Sequence, residues 1–136
     1  MDMSQRAPRV LYVDDDRVQL YILEKLLKDD IELTLAHNGH LGLEYIKLVP
    51  FDLILIDLDL GSASLSGEVL RKRIEASDKN ANTPVYALSS HHKEGNEEKF
   101  LAQGFQRYFV KPPDYMELKH FILNDVSLEM TKKGLV

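Results

Sequence analysis

The chain has 136 residues, which suits one domain, and it has no cysteine, which excludes disulfides, thiolate metal sites and a cysteine nucleophile. Its 17 basic and 22 acidic residues give a net charge of −5, which argues against binding to nucleic acid or to an anionic membrane. The polar N-terminus lacks the core of a signal peptide, and no apolar run approaches the roughly 20 residues that span a bilayer. The composition predicts a cytoplasmic globular domain.

Short apolar runs alternate with helical repeats along the chain. In chain order, the patterns predict a strand at 10–13, a helix at 17–28, a strand at 31–36, a helix at 39–49, a strand at 51–56, a Gly/Ser-rich loop at 61–67, a helix at 68–76, a strand at 84–88, a polar helix at 93–103, a strand at 105–110 and a helix at 114–123. Asp16 is a candidate N-cap for the first helix, and Gly104 a candidate C-cap for the polar helix.

Five strands that alternate with five helices predict crossover connections and a parallel sheet. The expected fold class is therefore α/β, a three-layer sandwich with helices on both faces of the sheet. Residues 1–124 are expected to form the domain, and 125–136, which show no clear period, are expected to form a C-terminal tail.

Polar residues follow four of the predicted strands. The first strand ends in three aspartates, 14–16, the third in Asp57, the fourth in Ser89 and the fifth in Lys111. Because ligands bind beyond the carboxyl ends of the strands in an open parallel sheet, these side chains are expected to share one crevice. Taken alone, 14–16 also fits a solvated turn and helix cap.

The charges in this crevice favour the binding of a cation. Asp14, Asp15 and Asp57 carry three negative charges, Lys111 carries one positive charge, and a divalent cation brings the sum to zero. Oxygen ligands favour Mg²⁺. Asp57 is the candidate nucleophile, because a rigidly held carboxylate can attack phosphorus and form an acyl phosphate. Lys111 would neutralise the transferring oxygens, and Ser89 can donate a hydrogen bond to them.

At these residues the chain resembles the receiver domain of two-component response regulators. The resemblance covers about 9–123 and rests on the segments 10–15, 51–57, 87–89 and 104–112. It implies a flavodoxin-like sheet of order 2-1-3-4-5. It also implies that Asp57 accepts a phosphoryl group from a phosphohistidine on a sensor histidine kinase or a histidine phosphotransfer protein. Such a domain catalyses its own phosphorylation and dephosphorylation and needs no separate enzymatic output.

The resemblance also implies roles for single residues. Asp15, Asp57 and the backbone carbonyl of Asp59 are expected to ligate Mg²⁺ directly, and Asp14 through water. Lys111 is expected to contact the phosphoryl oxygens and to precede a cis peptide bond to Pro112.

The resemblance also implies roles for two further pairs of residues. Ser89 and Tyr108 match the switch pair, in which the hydroxyl moves to the phosphoryl group and the aromatic ring turns inward. Asp59 and His91 occupy the positions that tune phosphoryl lifetime, and the Asp59 carboxylate could repel the phosphoryl group, order a water or face solvent. His91 and His92 together fit a solvated loop pair better than a metal site.

The loop after Asp57 departs from the family pattern. Gly61 stands where the family usually has proline, and the following glycine comes late, so 62–66 is expected to form a longer loop beside the acceptor. This departure keeps open a degenerate receiver that acts only as a binding module. A second alternative is an aspartate-nucleophile phosphohydrolase, since Asp57 and Asp59 match its Asp-x-Asp signature. That class, however, carries the motif on its first strand.

The domain is expected to signal by binding a partner protein at its surface. The face formed by 93–124 is the candidate site for a downstream protein partner, and the sequence leaves open a homodimer. It also leaves open whether the chain is a stand-alone receiver or a fragment of a larger protein.

Overall fold

The structure is a computed structural model that describes residues 6–61 and 65–134. The described elements, in chain order, are β1 (Arg9–Val13), α1 (Arg17–Leu27), β2 (Glu32–Ala36), α2 (Gly39–Leu48), β3 (Leu53–Asp57), α3 (Gly67–Glu75), β4 (Val85–Ser89), α4 (Asn96–Ala102), β5 (Arg107–Val110) and α5 (Tyr115–Lys132). The strands pair in parallel in the order β2-β1-β3-β4-β5. The predicted flavodoxin-like α/β sandwich is therefore confirmed.

Two apolar clusters cover the two faces of the sheet. On one face, α1 and α5 pack side chains such as Leu23 and Ile122 against the sheet. On the other face, α2, α3 and α4 contribute Ile46, Leu70 and Phe100. Every residue of β3 and β4 is buried, as the unbroken apolar run of β3 predicts for a central strand. The helices thus hold the carboxyl ends of β1, β3 and β4 rigidly at one edge.

Side-chain caps fix where most of the helices begin. The Asp16 carboxylate accepts hydrogen bonds from the backbone N–H groups of Val18 and Gln19, which confirms the predicted cap of α1. The polar helix is shorter than predicted, because Gly95 is not inside it. Gly95 lies at the N-cap of α4 with φ of 86°, a left-handed conformation that glycine adopts without strain. Gly104, with φ of 100°, follows the C-cap residue of the same helix.

The last helix is longer than the sequence predicts. The sequence predicts an end at residue 123 and a tail over 125–136, but α5 continues to Lys132. The extra turns are held by burial of Val126, Met130 and Asp125. The Asp125 carboxylate accepts two hydrogen bonds from the Arg107 guanidinium, at 2.7 and 3.1 Å, and another from the Tyr86 hydroxyl. The expectation of a tail is wrong for 125–132.

Some expectations fall on residues 1–5, 62–64 and 135–136, which lie outside the described residues. These residues belong to the polar N-terminus, to the longer loop at 62–66 and to the end of the predicted tail. Among the helices that the structure describes, none is long and apolar enough to cross a bilayer.

Candidate functional site

Three carboxylates meet at the carboxyl ends of β1 and β3, as the sequence predicts. Asp14, Asp15 and Asp57 each present an oxygen that lies within 4.8 Å of the oxygens of the other two. Asp14 and Asp57 are buried, whereas Asp15 is exposed. Buried carboxylates at this spacing repel one another unless a cation lies between them, and the all-oxygen donor set is the one that Mg²⁺ prefers. We call Asp14, Asp15, Asp57 and Lys111 the acidic pocket.

Lys111 supplies the positive charge of the acidic pocket. Its Nζ lies 2.9 Å from Asp14 Oδ2 and 3.4 Å from Asp57 Oδ2. Burial lowers the pKa of Lys111, but the hydrogen bond and the charges of the two aspartates outweigh it and hold the pKa above its usual value. The lysine therefore stays protonated. The peptide bond between Lys111 and Pro112 is cis, as predicted.

Asp57 is a weaker acid than an ordinary aspartate. Burial, followed by the charge of Asp14, raises the pKa of Asp57 to about 7. The backbone N–H of Asp59, which donates to Asp57 Oδ1 at 2.9 Å, and the charge of Lys111 both oppose this rise. One positive charge is thus too few for the pocket near neutral pH, which fits a site built for a cation.

Tyr12 is a further member of this site that the sequence analysis missed. Its side chain is 1% exposed, and its hydroxyl donates to Asp14 Oδ2 at 2.5 Å. The other oxygen of Asp14 accepts the backbone N–H of Asp16 at 2.9 Å. Burial, together with the charge of Asp14, raises the pKa of Tyr12 far above its usual value, so the phenol keeps its proton. The sequence signal that could have identified Tyr12 is its spacing of two positions from Asp14, because residues two apart on a strand share a face.

Ser89 ends β4 as predicted, and its hydroxyl contacts the following loop. Its Oγ accepts the backbone N–H of His91 at 3.1 Å. Among the described residues, this hydroxyl makes no hydrogen bond with Asp57 or Lys111. The serine is buried at the carboxyl end of β4, and its hydroxyl is bound to the following loop instead.

Tyr108 lies inward on β5. Its ring is 9% exposed and stacks on Phe100, with centroids 5.8 Å apart and planes 10° apart. The hydroxyl lies 2.9 Å from His92 Nδ1 and 3.3 Å from Asn96 Nδ2. β5 is thereby tied to the β4–α4 loop and to the first turn of α4.

The two loop histidines diverge, as predicted for residues that are adjacent in a loop. The His91 ring contacts Asp59, with Nδ1 3.2 Å from Oδ1, whereas His92 contacts Tyr108. In the described part of the chain they do not join a cluster of metal-ligating side chains.

The Asp59 carboxylate has a role that the sequence analysis did not foresee. It is partly exposed and binds the β4–α4 loop, because Oδ2 accepts the backbone N–H of Ser90 at 2.7 Å and the Ser90 hydroxyl at 2.9 Å. Partial burial raises the pKa of Asp59, but the hydrogen bonds from Ser90 and the contact with His91 outweigh it and hold the pKa below its usual value. An ionised, hydrogen-bonded carboxylate is unsuited to the general-acid role that the phosphohydrolase alternative requires.

Comparisons with known proteins agree with this geometry. A family model described as the response regulator receiver domain matches residues 10–123. Over 135 residues the chain is 31% identical to the sensor histidine kinase GacS of Pseudomonas protegens, and the match covers 97% of this chain. The chain spans only 15% of the length of that relative.

Solved structures show the same fold. The receiver domain of the Francisella response regulator 1452 matches with a TM-score of 0.80 and 29% identity, over 90% of this chain and 98% of that one. The receiver domain of the Pseudomonas aeruginosa sensor histidine kinase PA1611 matches with a TM-score of 0.78 and 24% identity, over 89% of this chain and 98% of that one. The PA1611 structure holds a magnesium ion in its active-site cleft.

Proposed function

Because this chain belongs to the response regulator receiver domain family, we propose that Asp57 accepts a phosphoryl group from the phosphohistidine of a sensor kinase or phosphotransfer protein. One observation carries the proposal. Asp57 is 2% exposed at the end of a fully buried strand, and it shares the acidic pocket with two carboxylates and one lysine. A phosphoryl acceptor needs this combination of a fixed nucleophile and nearby positive charge.

The donor set of the acidic pocket fits Mg²⁺. Asp15 and Asp57 would ligate the ion together with the backbone carbonyl of Asp59, and Asp14 would contact it through water. Asp14 fits the indirect role, because Tyr12 and Lys111 already occupy its Oδ2. When bound, the ion would neutralise negative charge on the phosphoryl oxygens and on the acceptor.

The phosphoryl transfer itself needs few protein side chains. An ionised oxygen of Asp57 attacks phosphorus, the P–N bond of the donor breaks, and its electron pair stays on the donor imidazole, which takes a proton from solvent. Lys111 Nζ, 3.4 Å from Asp57 Oδ2, is placed to neutralise a transferring oxygen. Because the pKa of Asp57 is about 7, the acceptor gains reactivity when added positive charge keeps it ionised.

The charge that the phosphoryl group brings to Asp57 would alter the face formed by residues 93–124, which a partner protein would then recognise. Ser89 would move its hydroxyl toward the phosphoryl group, whereas the Tyr108 ring already lies inward in this structure and would be held there by the contact of its hydroxyl with His92. A groove of about 330 Å³ between α4, β5 and α5 offers a docking surface for a downstream protein, and its lining includes Leu101 and Phe121. We propose that the receiver unit includes all of α5, because Asp125 anchors the second half of this helix to β5.

Phosphorylation by acetyl phosphate tests the proposal. We expect one phosphoryl group per chain by intact-mass spectrometry, mapped to Asp57, formed with Mg²⁺ and not with a chelator. Asp57→Asn abolishes it. Asp16→Asn is the matched control, because asparagine also caps helices and Asp16 touches the site only through its backbone N–H. Continuous turnover of a phosphate monoester would favour the phosphohydrolase, and no Mg²⁺-dependent labelling would favour the degenerate receiver.

A further inference from the structure

Asp59 contacts both the loop after β3 and the loop after β4, which would have to move relative to each other when Asp57 is phosphorylated. Its backbone N–H donates to Asp57 Oδ1 at 2.9 Å, on the acceptor side. Its carboxylate accepts the Ser90 backbone N–H at 2.7 Å and the Ser90 hydroxyl at 2.9 Å, on the β4–α4 side. One residue therefore contacts both the acceptor carboxylate and the loop that follows β4.

The same loop holds the Ser89 hydroxyl. The backbone N–H of His91 donates to Ser89 Oγ at 3.1 Å, and the His91 ring lies against Asp59, with Nδ1 3.2 Å from Oδ1. The contacts of Asp59 with Ser90 and His91 therefore fix the backbone that binds the serine hydroxyl. A hydroxyl that moved toward a phosphoryl group on Asp57 would have to give up the His91 hydrogen bond.

We propose that Asp59 and Ser90 form a resting latch, which holds the β4–α4 loop and the Ser89 hydroxyl away from the acidic pocket until Asp57 is phosphorylated. This inference rests on the proposed function of Asp57. It assigns to Ser90 the role of a positioning residue, and it gives the Asp59 carboxylate a task that needs no contact with phosphorus.

Phosphorylation would weaken the latch for two electrostatic reasons. Formation of the acyl phosphate removes the negative charge from the Asp57 carboxyl group, so the hydrogen bond from the Asp59 N–H loses its charged acceptor. The phosphoryl group also brings between one and two negative charges close to the Asp59 carboxylate, which repels them. Both effects favour movement of the Asp59 side chain, and the loop bound to it is then released.

The latch can be tested with beryllofluoride, which stands in for the phosphoryl group on an aspartate. We expect Ser90→Ala to lower the dissociation constant for beryllofluoride, at saturating Mg²⁺, about fivefold, because the resting state loses one solvent-exposed hydrogen bond. Ser90→Thr keeps the hydroxyl and is expected to match the wild type. Ser90 is exposed, so neither variant is expected to disturb the core.

A double-mutant cycle separates the latch from a simple charge effect. Asp59→Ala removes a negative charge and would itself favour an anion, whether or not a latch exists. If the latch exists, Ser90→Ala has no further effect once Asp59 is alanine, because both changes break the same contact. Additive effects would overturn the proposal, as would wild-type affinity in Ser90→Ala.

The Ser90 amide gives a second readout that a purely structural role would not move. We expect its NMR proton signal to shift upfield when beryllofluoride binds the wild type, as the hydrogen bond to Asp59 breaks. An unmoved Ser90 amide in the saturated protein would overturn the latch. Failure of the wild type to bind beryllofluoride at all would instead refute the proposed function, so the two failures are distinguishable.

Discussion

Replacing Tyr12 by phenylalanine isolates one hydrogen bond inside the acidic pocket. The ring is retained and only the hydroxyl that donates to Asp14 Oδ2 is lost. A hydrogen bond to a charged group contributes about 2 kcal/mol, and among the described residues the buried Asp14 carboxylate keeps Lys111 and the Asp16 N–H as donors. We expect Tyr12→Phe to lower the free energy of unfolding by about 2 kcal/mol in the absence of Mg²⁺.

Magnesium is expected to reverse much of this loss. Without the Tyr12 hydroxyl, the negative charge of Asp14 is less neutralised by hydrogen bonding. We therefore expect the variant to bind the cation more tightly than the wild type does. Binding to the native state raises its stability in proportion to the logarithm of the ligand concentration over the dissociation constant. The difference between the variant and the wild type therefore shrinks to below about 1 kcal/mol at saturating Mg²⁺.

Tyr86→Phe is the matched control. Tyr86 is also buried and donates to a buried aspartate, Asp125, which retains Arg107 and Gln106 as donors. We expect a loss of about 1 kcal/mol that is the same with and without Mg²⁺. Urea denaturation followed by circular dichroism measures all four values. A Tyr12→Phe loss that is equally large in both conditions would refute the placement of Tyr12 in the cation site.

Three further predictions concern stability without Mg²⁺, measured by urea denaturation. Because the native pKa of Asp57 is raised above 3.8, the native state holds a proton that the unfolded chain releases, so stability falls by roughly 2 kcal/mol from about pH 5 to about pH 8. Asp57→Asn removes this slope, and an unchanged slope contradicts the raised pKa. Asp125→Ala costs about 2 kcal/mol, because the buried Tyr86 hydroxyl and the partly exposed Arg107 lose their acceptor; a neutral result would mean that α5 is not anchored there. Gly42→Ala costs roughly 1–2 kcal/mol, because its Cβ would lie 2.8 Å from Val13 Cγ2; a stabilised variant would contradict this packing.

Periodicity predicted the elements well but not always the buried face. The spacing of Val18, Ile22 and Leu26 correctly predicts helix α1, yet Val18 is 66% exposed and Leu26 46% exposed. The side chains that reach the core are Leu20, Leu23 and Leu27. Two apolar sets share this helix, and only the position of the sheet decides which of them is buried.

The acidic pocket was predictable because each member lies at or just after the end of a strand. Asp14, Asp57 and Lys111 needed only the rule that the carboxyl ends of parallel strands meet at one edge. Their partners depend on contacts across the fold and were not predictable in the same way. Tyr12 fits an ordinary strand residue, and Ser90 contacts an aspartate that precedes it by 31 positions.

The end of α5 shows the same limit. A charged residue such as Asp125 usually marks a solvated surface, so 125–132 showed no helical core pattern. Its burial depends on donors from β4 and β5, which only the folded chain brings together.

An NMR titration of the wild-type protein with beryllofluoride, with and without Mg²⁺, tests the phosphoacceptor function most directly. We predict saturation at one equivalent, only with Mg²⁺, with shifts at the amides of Asp57, Ser89 and Lys111. Asp57→Asn is expected to abolish these shifts, whereas Asp16→Asn is expected to keep them. Spectra that do not change on addition of beryllofluoride and Mg²⁺ together would contradict the assignment of Asp57 as the phosphoryl acceptor.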